Sequence, residues 1–121
     1  MTEEWDKATD GASGLTMGCV VVRTEFAQQN KEALDLFLDE YERSVQTVTS
    51  VEGLEHAAQL AEQYNIVKAP VARKAIPACN IVFVQGEQMQ QIAGGFLEVL
   101  YQANPKSVGG KLPDANFYYN R

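Results

Sequence analysis

The sequence predicts an α/β protein, a mostly helical segment with one or two strands, on three observations. Leu34, Phe37, Leu38, Tyr41, Val45 and Val48 recur at i, i+3, i+4, i+7, i+11 and i+14, one apolar helix face, with Asp35, Asp39, Glu40 and Glu42 on the others. Cys19-Val20-Val21-Val22 sets β-branched residues in series, the pattern of a strand covered on both faces rather than a half-exposed alternating one. The 121 residues, 45% hydrophobic and 21% charged, leave room for one modest core and give no reason to expect disorder or a fibrous repeat.

In chain order, Glu3 to Ala8 suits a short helix, and Asp10-Gly11-Ala12-Ser13-Gly14 has the small residues of a loop. Leu15 to Arg23 is the expected strand. Thr24 to Gln29 gives one helical turn, and Asn30 is a good N-cap for the long amphipathic helix that follows, about 17 residues by its periodicity. Thr49-x-x-Glu52 forms a capping-box pattern for the next helix, whose Leu54, Ala57, Ala58 and Ala61 make a narrow face that permits close packing. That helix ends near Tyr64-Asn65. Pro70 suits the first turn of a helix through Ile76, and Pro77 ends it. Asn80-Ile81-Val82-Phe83-Val84 reads either as a short buried strand or as an extended lead into a helix from Gly86. Met89, Ile92, Ala93, Phe96, Leu97 and Leu100 form the stripe of that helix, and Gly94-Gly95 costs it about 1 kcal/mol per glycine, a reason to expect an element packed closely there. Asn104-Pro105 stops it, and the tail to Arg121 is irregular, with Phe117-Tyr118-Tyr119 as its anchor.

Sixteen Asp and Glu against ten Lys and Arg give a net charge of −6, the wrong sign for a phosphate backbone, so no nucleic acid partner is expected. No run approaches the roughly 20 apolar residues of a membrane span. Met1-Thr2-Glu3-Glu4-Trp5-Asp6 is acidic and polar where a signal peptide carries a basic then an apolar stretch, so the polypeptide as written is expected to stay in the cytoplasm.

Little in the chain suggests catalysis. His56 is the only histidine; Glu52 shares its helix face, but no third metal ligand follows, and a solvated surface pair is the better reading. Gly109-Gly110-Lys111 resembles the end of a phosphate-binding loop, yet Leu112 stands where Ser or Thr must hold magnesium, and the glycines read as a turn. Lys68, Arg73 and Lys74 form the one locally basic stretch, a candidate anion site or a solvated face. Cys19 and Cys79 lack metal-site or redox spacing; they read as small buried apolar residues, with a disulfide between them left open.

Three longer phrases carry a resemblance, the second and third more specifically than the first. Met17-Gly18-Cys19-Val20-Val21-Val22-Arg23-Thr24-Glu25-Phe26, Ala75-Ile76-Pro77-x-Cys79-Asn80-Ile81-Val82-Phe83 and Asn104-Pro105-Lys106-Ser107-Val108-Gly109-Gly110-Lys111-Leu112-Pro113-Asp114 are similar to the C-terminal third of ABC-transporter substrate-binding proteins. The likeness is to the nitrate, sulfonate and thiamine-precursor-binding kind, of the periplasmic-binding-protein type II class, and runs from about Trp5 to Tyr119. It implies that residues 1–121 are a single partial domain, part of one lobe of a two-lobed fold, with an irregular tail over 104–121. It implies a solute-binding component of an importer, acting outside the cytoplasmic membrane, which binds and delivers a small solute without chemistry. No catalytic residue, metal or cofactor is then expected, and the partners are the solute, once the missing lobe is present, and an ABC permease. Ser13, Met17, Gly18 and Asn80 are the ligand-binding candidates on the cleft. The rival reading is an independent small α/β association module, a homo-oligomer that self-pairs through strand edges.

Overall fold

The computed structural model describes every residue except Ala12, so the loop expected over Asp10 to Gly14 lies partly outside the described residues. Among the described residues there are six α-helices and no strand: α1 (Thr2–Thr9), α2 (Thr24–Gln29), α3 (Lys31–Thr49), α4 (Val51–Gln63), α5 (Ala69–Ala75) and α6 (Gly86–Ala103). Short 3-10 turns cover Ile76–Ala78, Pro105–Val108 and Ala115–Phe117. The α/β expectation is therefore corrected to an all-helical chain. The reason lies in the definition of a strand. β-branched residues favour extended backbone, but a strand exists only where that backbone meets a ladder partner. Residues 14–23 run without helix, turn or bend, as do residues 81–85. From Leu15 to Val22 and from Ile81 to Val84 no backbone group is hydrogen-bonded to another residue among those described.

The chain forms two compact units, Met1–Val22 with Val84–Arg121, and Arg23–Phe83. The second is inserted in sequence between the two parts of the first, so the chain passes from one unit to the other twice.

The inserted unit is built from α2 to α5. On α3, Leu34 and Val45 are buried, whereas Phe37 and Tyr41 of the same stripe are exposed. These two rings stack at 5.8 Å, and Phe83 meets Tyr41 edge-on, also at 5.8 Å. The α3–α4 junction is capped one residue later than the sequence pattern indicates: Ser50 Oγ accepts the Gly53 amide at 2.9 Å, while Thr49 Oγ1 donates back to the Val45 carbonyl at 2.8 Å and belongs to α3. The core of this unit is the α4–α5 contact, where Ala58 (0% exposed), Ala69 and Ala72 (1% exposed) bring the two helices together, with Ala61 and Ile76 around them. Alanine there allows close approach of the helix axes and loses no side-chain entropy. Asn65, at φ 55°, ends α4 in the left-handed conformation asparagine tolerates, and the next amide returns to the Ala61 carbonyl at 2.8 Å.

The discontinuous unit is organised on α6. The Trp5 ring of α1 packs 5.1 Å from Phe96, and its Nε1 donates to the Ser13 carbonyl at 2.8 Å. Ser13, the one buried polar residue described, lies over Gly95, and the Tyr118 hydroxyl faces Gly94, so the paired glycines are where the loop after α1 and the tail approach α6. Beyond Asn104 the chain folds back at once: Ser107 Oγ donates to the carbonyls of Asn104 (2.7 Å) and Leu100 (3.2 Å), and the Gly110 amide donates to the Pro105 carbonyl at 2.8 Å. Gly109 and Gly110, at φ 80° and 87°, close this turn in a region that other residues rarely adopt. No helix among the described residues is long and apolar enough to cross a membrane.

Candidate functional site

A concavity lies within the inserted unit, an open groove of about 530 Å³ between α3 and α4. Its floor is apolar, from Val48, Ala57, Leu60, Ala61, Ile66 and Ile76. Helical spacing puts the rim in place: Arg43 and Thr47 stand one turn apart on α3, and His56, Leu60 and Tyr64 follow at i, i+4 and i+8 along and just beyond α4. The rim is largely self-satisfied. Arg43 Nη1 holds Glu40 at 2.8 Å, and the Thr47 hydroxyl donates to the Arg43 carbonyl at 2.9 Å. What remains is an apolar floor flanked by one imidazole and one exposed phenol, open to water. It can take the flat face of a small ring on one side; it cannot enclose it, as ligand pockets commonly do.

The basic stretch is tied up in the α4–α5 contact. Arg73 makes two 2.7 Å bonds to the Glu55 carboxylate, one to each oxygen, and Lys68 Nζ lies 3.0 Å from Glu62, whose other oxygen accepts the Ala69 amide at 3.1 Å. The guanidinium beside Glu55 holds that carboxyl below its ordinary range and is itself raised by it. Lys68 and the Ala69 amide lower Glu62 in the same way. Two of the three cations proposed for an anion site are thus paired with carboxylates. No group of three metal-ligating side chains forms among the described residues, and both cysteines are free and exposed, not buried as the sequence suggests, Cys19 because the segment that carries it has no covering element and Cys79 because it ends a surface turn.

No family model matches the chain, and no curated protein or solved structure matches it.

Of the four residues expected on a cleft, Ser13, Met17 and Gly18 belong to the discontinuous unit and Asn80 to the inserted one. Ser13 is buried on α6, its carbonyl bound by Trp5, and so packs rather than faces solvent. Met17 is 73% exposed, and Gly18 has open space around it. Asn80 is exposed and left-handed at φ 49°, just past the Ile76–Ala78 turn; its visible role is to end the helical run and release the chain into the extended segment 81–85. The groove residues Arg43, Thr47 and Tyr64 were not singled out by the sequence. The signal for them was the i, i+4 register of His56, Leu60 and Tyr64, hidden because His56 drew attention only as a partner for Glu52.

Proposed function

We propose that the chain is the C-terminal portion of the solute-binding component of an ABC importer, which holds a small solute outside the cytoplasmic membrane and passes it to a permease without chemical change. The observation that supports this reading is the open apolar groove of the inserted unit, flanked by His56 and Tyr64, which offers a small solute one wall and leaves the other to be supplied. The phrases at Ile76–Phe83 and Asn104–Asp114 add to it, since both resemble the family at positions where the backbone has a particular task, the left-handed stop at Asn80 and the Gly109-Gly110 turn. The apolar groove beside Tyr64 and His56 agrees with a binder of small rings. Nothing in it pairs a nucleophile with a base.

One open wall leaves a solute mostly hydrated, so the 121-residue chain should bind aromatic, sulfonate and pyrimidine-type solutes no more tightly than ~1 mM. A polypeptide in which these residues follow the remainder of a two-lobed binder should hold one such solute at micromolar concentration. Titration calorimetry on both polypeptides tests the reading. Micromolar binding by the short chain, or none by the long one, would overturn it.

A further inference from the structure

We propose that Asp10-Gly11, at the C-terminal end of α1, is a site of spontaneous covalent modification, closing to a succinimide and reopening to isoaspartate, gated by the cap of that helix. The proposal stands apart from the solute-binding reading and joins one feature of the sequence to two of the structure. Asp10-Gly11 is the one place in the chain where an aspartate or asparagine precedes glycine, and only glycine leaves the attacking backbone nitrogen without an adjacent Cβ. Both residues are exposed and left-handed, at φ 49° and 72°, and a Cβ on Gly11 would meet nothing within 4 Å, so the ring that forms has room. The same backbone holds the reaction back. The Gly11 amide donates to the Asp6 carbonyl at 2.9 Å as part of the left-handed cap, and while that bond stands its nitrogen does not reach the Asp10 carboxyl. With eight residues and none buried, α1 opens this cap by fraying.

Once the cap opens, the Gly11 nitrogen forms a bond to Asp10 Cγ, and the carboxyl hydroxyl leaves as water with the amide proton. Water then adds at the Asp10 main-chain carbonyl carbon and breaks its bond to Gly11. The mass is unchanged, but the main chain now runs through Cβ and Cγ, one carbon longer, with the α-carboxylate left as a side group. The longer path disturbs what lies just beyond it. Ser13 is buried over Gly95, and its carbonyl accepts Trp5 Nε1 at 2.8 Å, while the Trp5 ring packs 5.1 Å from Phe96. Only two residues separate Asp10 from Ser13, so an added carbon displaces Ser13 from α6 or pulls its carbonyl away from Trp5.

Peptide mapping of the chain after prolonged incubation near neutral pH should find isoaspartate at position 10, forming about tenfold or more slower in the folded chain than in the chain unfolded by urea. Trp5→Phe keeps a ring against Phe96 but removes the Nε1 donor, and should raise the folded-state rate toward the unfolded one with helical circular dichroism preserved. Asp10→Glu, whose carboxyl lies one carbon too far for the five-membered ring, should abolish the product in both states. The isoaspartate form, separated by chromatography, should show red-shifted emission from Trp5, the only tryptophan. No isoaspartate at position 10, equal rates in the folded and unfolded chain, an unchanged rate in a folded Trp5→Phe, or unshifted emission from the modified chain would each overturn the proposal. If Trp5→Phe loses its helical signal, the two rates of the parent and the emission of its modified form still decide.

Discussion

Gly53 sits in the first turn of α4, where the chain reverses from α3, and a Cβ there would run into the Thr47 carbonyl oxygen and the Ser50 hydroxyl. Neither can move freely, because Thr47 O accepts from both the Ser50 amide and the Ser50 hydroxyl, and that hydroxyl oxygen caps the helix. Gly53→Ala should therefore destabilise by about 1–3 kcal/mol, the range for overpacking, although alanine is the better helix former. Gly94 is the opposite case. A Cβ there would meet only the Tyr118 hydroxyl at 3.6 Å, ordinary contact, so Gly94→Ala should stabilise by about 0.5–1 kcal/mol. Urea denaturation of both variants reads the two signs, and a stabilising Gly53→Ala would mean that the junction relaxes. The sequence showed a close approach at the Gly94-Gly95 pair but not the one at Gly53. Thr49 and Glu52 imitate a capping box there, and only the backbone path shows that the helix runs one residue further and is capped by Ser50.

Helices were legible because their pattern is local. The face of α3 and the small-residue face of α4 need only a period of 3.6 residues, and the short pieces around Pro70 and Asn104 need only the proline rules. The segment at Cys19 was legible as β-branched and short of partners within the chain, but not as exposed, because a strand covered on both faces depends on neighbours that no local pattern encodes. The contact of α4 with α5 shows what helix pairing adds: three alanines set the approach, and Glu55–Arg73 and Glu62–Lys68 bracket it. All four side chains are substantially exposed, so these pairs orient the helices more than they stabilise them. Their pH dependence has a definite sign. A carboxylate whose pKa is lowered on folding contributes stability above its unfolded value, lost as the pH falls through its folded value. The contribution of Glu55 and Glu62 should hold above the ordinary 4.5 and fade below it. Arg73→Gln should flatten the acid limb of the thermal-stability profile below that pH and leave the alkaline side unchanged; an unaltered acid limb would show that the Glu55 pair does not form in solution.

A composition of 45% hydrophobic residues implies a core but does not say that those residues find one another. Among the described residues the buried apolar side chains are Leu34, Val45, Ala58, Ala69 and Ala72, three of them alanine, while every apolar residue of α6 remains at least partly accessible. This leaves a thermodynamic mark. With so few apolar side chains fully buried, folding removes less apolar area than it does in a well-packed chain of this size. Heat capacity follows exposed area, and 121 residues ordinarily give about 1.5–1.8 kcal/mol/K on unfolding. The chain should fall below about 1.5 kcal/mol/K, the low end of that range, by calorimetry at several pH values. The shortfall follows from side chains such as Met17, Val51 and Ile66, which are already exposed in the folded chain, since newly exposed apolar surface is what raises the heat capacity. An ordinary value near 1.7 kcal/mol/K would mean that Met17, Val20, Ile66 and the other exposed apolar side chains are covered within the chain in solution.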